Sequence, residues 1–157
     1  MGQVINILRA MTLSLPIWAS AAFAGASPLP ASVERALGRA TEAGDPAAIG
    51  QLVGGNPMLG AEIVAMAVTR RPDLAAPIAA AAAGNVPDVA PQLAAAVADP
   101  AAATGIATAV SVAVPAARAA VADAIVAMLP PNDRLAAATR IHAAISATIL
   151  PSVDDPQ

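Results

Sequence analysis

The residues that could do chemistry are few and scattered. Histidine occurs once, as His142, and cysteine is absent. Without cysteine there are no disulfides, no thiol nucleophile and no thiolate metal site. A histidine that transfers protons is marked by an acid or nucleophile beside it. The neighbourhood of His142 offers Arg134, Thr139 and Arg140 but no acid. His142 also directly follows Ile141, a residue of an apolar helical stripe, so it is expected on a side or outer face, in water.

Acidic residues recur just before apolar runs: Asp45, Asp73, Asp88, Asp99 and Asp133. A carboxylate there accepts the free N–H groups of a helix start and complements its positive end. Capping is the expected role. The competing reading is a row of Asp73 and Asp88 along one edge holding a weak divalent ion, which needs several oxygens converging on one point. Arg70-Arg71 is the one adjacent cation pair. It lies at an expected helix carboxyl end, where cations are favoured anyway, with an anion clamp as the competing reading. Gly54-Gly55-Asn56-Pro57 lacks the lysine and the preceding strand of a phosphate loop. Ser27, Ser32, Ser111, Ser146 and Ser152 fall in no nucleophile motif. No catalytic, cofactor-binding or metal-ligating residue is assigned, no cofactor or small-molecule substrate is expected, and the chain does not read as an enzyme.

Partners follow from charge and aromaticity. The eight cations are all arginine and the formal net charge is −3. No basic patch exists to neutralise a phosphate backbone, and the two aromatics, Trp18 and Phe23, both precede residue 24. Nucleic-acid binding therefore fails on charge and on base stacking together.

The elements that must position these residues are set by proline. Prolines stand at 57, 72, 87, 100, 115 and 130, spaced 15, 15, 13, 15 and 15. Between them lie near-copies of one pattern. The seventh place is aliphatic in each: Ile63, Ile78, Leu93, Ile106, Val121. The third place (Leu59, Leu74, Val89, Ala102, Ala117) and the eleventh (Ala67, Ala82, Val97, Val110, Ile125) lie four residues to either side. Steps of four keep to one face of a helix, so each copy predicts a short helix with one apolar stripe. Helices of about 10 to 13 residues are marginal alone in water, so each stripe must find a neighbour. The expected fold is all-α: short antiparallel helices stacked as an α-solenoid-like or multi-helix repeat array in one domain, residues 32–150. Over residues 46 to 150 this plan resembles helix-pair solenoids of the HEAT-like kind, with shorter units. The resemblance carries no functional motif, so it implies an architecture and no activity.

In chain order, Ser32 is expected to cap a charged amphipathic helix that Gly44 stops. Asp45-Pro46 opens a second helix that Gly54-Gly55 closes, and Asn56-Pro57 opens a third in the same way. Pro77 and Pro91 fall inside two copies and predict helices short or bent at their starts. Asn132 or Asp133 caps a longer last helix whose buried face is expected at Leu135, Ala138, Ile141, Ile145 and Ile149. The first and last helices are the expected end caps of the stack. Residues 25–31 read as a linker and 151–157 as a flexible tail.

Residues 1–24 read as a signal peptide. Arg9 precedes an apolar run at 10–23, and Ala22-Phe23-Ala24 matches a small-x-small cleavage pattern. The run is shorter than the ~20 residues of a spanning helix. The product is expected in the periplasm or secreted after cleavage near Ala24, free of aromatic residues and nearly without absorbance at 280 nm. The low-charge stretch 101–129 is long enough to span a membrane, but Pro115 divides it and Arg118 and Asp123 interrupt it. The expected role is that of an exported, non-catalytic helical-repeat protein that binds protein in the cell envelope, by self-association or as a scaffold. The alternative is a lipid- or membrane-surface-binding protein that opens its amphipathic helices onto lipid.

Overall fold

The computed structural model describes residues 29–149. The expected signal peptide, the start of the linker and the tail lie outside the described residues. Among the described residues there are eight α-helices and no strand. They are α1 (Ala31–Ala43), α2 (Pro46–Gly55), α3 (Gly60–Arg70), α4 (Ala75–Asn85), α5 (Ala90–Ala96), α6 (Ala103–Ala113), α7 (Arg118–Met128) and α8 (Pro131–Ile149).

Four of the breaks between them are built alike. A proline ring crowds the residue before it out of the helical region. Asn56, Arg71, Val86 and Val114 all sit at φ between −131° and −140° and ψ between 59° and 79°. The helix stops there. The fixed φ of proline then starts one 3-10 turn, at Pro57–Leu59, Pro72–Leu74, Pro87–Val89 and Pro115–Ala117. In each turn the third residue donates its N–H to the carbonyl before the proline, at 2.9, 3.0, 3.2 and 3.0 Å. An α-helix then restarts on the next residue.

This turn changes the expected capping. Asp45 does cap α2, accepting from the N–H groups of Ala47 and Ala48 at 3.0 and 3.1 Å. Asp99 accepts from Ala101 at 2.9 Å. Asp73 and Asp88 accept no capping bond, because the 3-10 hydrogen bond already closes the turn around them. Asn56 does not open α3 either; its side-chain amide donates back to the Leu52 carbonyl at 2.9 Å, at the end of α2. Ser32 lies inside the first turn of α1, with Pro30 in the cap position. Proline likewise takes the first position of α8, so Asn132 and Asp133 fall within that helix rather than before it.

Pro77 and Pro91 become the third and second residues of their helices, where a missing N–H removes no bond. Hence α4 keeps eleven residues. Only α5 is short, at seven. It is cut at its far end, where the chain leaves helix from Val97 to Ala102. That is the place where the proline spacing shrinks to 13.

The packing is regular in one respect. Helix α2 packs on α4, α4 on α6 and α6 on α8, while α3 packs on α5 and α5 on α7. Consecutive helices also touch, and the chain turns by 117° between α2 and Pro57–Arg70. Even-numbered helices thus form one layer and odd-numbered helices the other. The seventh-place residues Ile63, Ile78, Leu93, Ile106 and Val121 are at most 1% exposed. Each contributes ~1.5–3 kcal/mol of burial. The eleventh places are buried as well, and the third places are half-buried.

The buried stripe is wider than three places, because an inner helix has neighbours on two sides. The fourth places Gly60, Ala75, Ala90 and Ala103 and the eighth places Val64, Ala79, Ala94, Ala107 and Ala122 are buried too. In α8 the buried face is Ala137, Ile141 and Ile145; Leu135 is 81% exposed, against expectation. Leu29, at the end of the expected linker, is buried in the core.

The small residues let helices approach closely, most visibly at Gly50. A Cβ there would stand 2.7 Å from the Ala81 carbonyl oxygen of α4. Two substitutions should therefore weaken the fold in opposite ways. Gly50→Ala should cost about 1–3 kcal/mol by overpacking, and Ile78→Ala about 2–5 kcal/mol by leaving a cavity. Urea denaturation of each variant measures both losses.

Candidate functional site

The described polar groups gather where helices end. The joints α1–α2, α3–α4 and α5–α6 lie along one edge of the two layers. Arg71 and Asp73 stand at the middle joint. The Arg71 guanidinium donates from Nε and Nη2 to the two Asp73 carboxylate oxygens at 3.0 and 2.8 Å. Its remaining Nη1 donates to the Thr41 carbonyl at 3.3 Å, in the last turn of α1. One side chain thus ties the first helix to the α3–α4 joint and supplies positive charge to the negative end of α1.

Gly44 makes room for it. It ends α1 in the left-handed region, at φ 63°, and a Cβ there would meet Arg71 Nη1 at 3.1 Å. Any other residue at 44 would be strained in its backbone and crowded by the guanidinium. The hydrogen bonds from Arg71 hold the Asp73 carboxyl below the usual carboxylate range. Arg70 lies 4.0 Å from Glu34, with both side chains largely in solvent. Gly38, Thr41, Glu42, Arg70 and Arg71 line an open cleft of about 520 Å³. The fork of Arg71 is already filled by a carboxylate, so the Arg70-Arg71 pair serves the fold at this point.

Two other joints, α6–α7 and α7–α8, use arginine in a similar manner. Arg118 donates to the Ser111 carbonyl at 3.3 Å, in the last turn of α6. Arg134 donates to the Leu129 and Ala127 carbonyls at 2.9 and 3.0 Å, at the end of α7. Sequence reasoning missed this role. For Arg118 and Arg134 the available signal was an arginine three residues after a proline, at Pro115 and Pro131, close enough to fold back across the joint.

Asp73 and Asp88 do not share an edge. One precedes α4 and the other follows it, so they stand at opposite ends of a helix about 16 Å long. The expected alternative of an ion held between them is overturned by this placement. His142 is exposed, and its Nδ1 lies 2.8 Å from the Ala138 carbonyl, to which it donates one turn back along α8. Among the described residues no group of three or more His, Asp or Glu is placed to hold a metal ion. Two side-chain oxygens, Ser111 Oγ on α6 and Glu62 Oε2 on α3, are sequestered with no hydrogen-bond partner among the described residues.

Among the described residues no single helix is long and apolar enough to cross a membrane. The low-charge stretch 101–129 is divided into α6 and α7 at Val114-Pro115. No family model, curated protein or solved structure matches this chain.

The Arg71–Asp73 pair has a definite pH signature. Its aspartate is the depressed partner, so its contribution is fully present above the unfolded-state pKa, about 4, and is lost as pH falls through the lower folded value. The melting-temperature difference between the native chain and Asp73→Asn should be measurable at pH 7 and close as pH drops below about 4. It should also shrink in high salt, because the pair is exposed.

Proposed function

We propose that this chain is an exported, non-catalytic helical-repeat protein that works by binding another protein in the cell envelope. Its compartment on this reading is the periplasm or the exterior, after removal of a signal peptide near Ala24. Its architecture is a short α-solenoid of helix pairs: α1–α2, α3–α4, α5–α6 and α7–α8. The observation that carries the reading is how packing follows sequence order. Each helix leans on those one and two places along the chain, and four of the joints between them are built alike. An array of that type is quasi-one-dimensional and offers long edges and outer faces for a partner to lie against.

The disposition of polar groups supports it further. Asp45 and Asp99 close helix starts, Arg71, Arg118 and Arg134 close helix ends, and His142 bonds within its own helix. A hydrolytic or transfer site brings a nucleophile, a base and an oxyanion donor to within hydrogen-bond reach of one reacting atom. Here these polar groups are spent one joint at a time, along the length of the array. Chemistry assembled this way stabilises ends and leaves the surface to recognition.

Cross-linking the chain in its native envelope and identifying what is captured tests the reading. A discrete protein partner, recovered at similar yield with His142→Ala, is the expected outcome. The far-ultraviolet circular dichroism of the processed chain should meanwhile be unchanged by liposomes. A strong rise in helicity on adding liposomes would instead establish the lipid-surface mode, in which the helices open and expose their stripes.

A further inference from the structure

With cysteine absent, the sulfur chemistry of this chain rests on methionine. The described residues include Met58, Met66 and Met128. A thioether gives up two electrons to an oxidant, and its susceptibility follows access to the sulfur. The three sites differ in that access.

Met58 is the second residue of the 3-10 turn before α3 and is 93% exposed. Gly54, Gly55, Pro57 and Ala61 around it in sequence are exposed too, and none carries a side chain large enough to cover it. Met128, the last residue of α7, is 59% exposed. Met66 lies two turns beyond Met58, half-buried against the core. Its sulfur accepts a hydrogen bond from Arg70 Nη2 at 3.5 Å. A guanidinium on that lone pair withdraws the electrons an oxidant must take.

The sites also differ in what an added oxygen would do. The second residue of the equivalent turns is Asp73, Asp88 and Ala116. The same turn thus carries a thioether, a carboxylate or a methyl group, so the place demands neither bulk nor polarity. A sulfoxide, polar and uncharged, falls within that range. At Met66 the same oxygen would be set against the core, where a sulfoxide disrupts packing.

We propose that Met58 is a site of reversible oxidation, at which a hydroperoxide converts the thioether to a sulfoxide while the fold stays intact. The sulfur lone pair attacks one peroxide oxygen. The S–O bond forms as the O–O bond breaks, and the proton on the transferred oxygen passes to the departing one. Sulfur loses two electrons, and the peroxide is reduced to water or an alcohol. A dithiol reductase reverses the step: the oxygen leaves as water and the dithiol closes to a disulfide. The modification replaces an apolar protrusion by a polar one and leaves the core as it is. It stands independently of the proposed protein-binding role.

The chain, in the form the cell accumulates, is treated with limiting hydrogen peroxide, and fragmentation mass spectrometry locates each added oxygen. Met58 is expected to oxidise at least about tenfold faster than Met66 in the folded chain, with Met128 between them and the rates converging in urea. The chain oxidised at Met58 should keep its melting temperature. Methionine sulfoxide reductases with dithiothreitol should remove the oxygen without unfolding. Met58→Leu should abolish the fastest oxidation and leave the other two. Equal rates at Met58 and Met66 in the folded chain overturn the proposal. So does a melting temperature that falls with the first oxygen, or a sulfoxide that the reductases reach only in urea.

Discussion

The restriction that a proline places on the residue before it governs this molecule. Alanine-rich sequence would otherwise run on as one long helix, since alanine has the highest helix propensity. The crowding of Asn56, Arg71, Val86 and Val114 out of the helical region ends four of the helices after about three turns. Rods of that length lack the cooperative gain to stand alone in water. They are held by contact with the helices one and two places along. The covalent geometry of a single ring type thus decides helix length, and helix length decides that the structure must be an assembly of neighbours.

Alanine sets the distances in that assembly. With little side-chain volume between them, helix backbones come close, down to the glycine-permitted contact of Gly50 with the Ala81 carbonyl. The buried mass is therefore spread thinly. One or two large aliphatic residues per helix are buried, flanked mostly by alanines. Charged residues are 12% of the chain, and three arginines serve helix ends: Arg118 and Arg134 reach the Ser111 and Ala127 carbonyls, whose N–H partners proline removes, and Arg71 reaches the Thr41 carbonyl at the glycine-ended α1.

Much of this was legible before any coordinates. The steps of 15 located the joints, and the seventh and eleventh places named the core of each helix. The 3-10 turn after each proline was not legible, because it depends on a backbone hydrogen bond that no side chain signals. It moved the starts of α3, α4, α5 and α7 by three residues, which displaced Asp73 and Asp88 from capping and made Pro77 and Pro91 harmless. The fourth and eighth places escaped notice because alanine reads alike on a wet or a buried face. Leu135 was assigned to the core by periodicity, yet α8 has a neighbour on one side only and turns that residue outward. The functional groups were harder still. The reach of Arg71 to Thr41 spans thirty positions, so no local pattern signals it.

The claim that these rods persist only through lateral contact can be tested on one piece of the chain. Circular dichroism of the isolated segment 57–86, which contains α3 and α4 and the joint between them, should show it largely unfolded at room temperature. Helix content per residue close to that of the intact chain would contradict the account, because the segment would then need none of the neighbours that it meets in the full array.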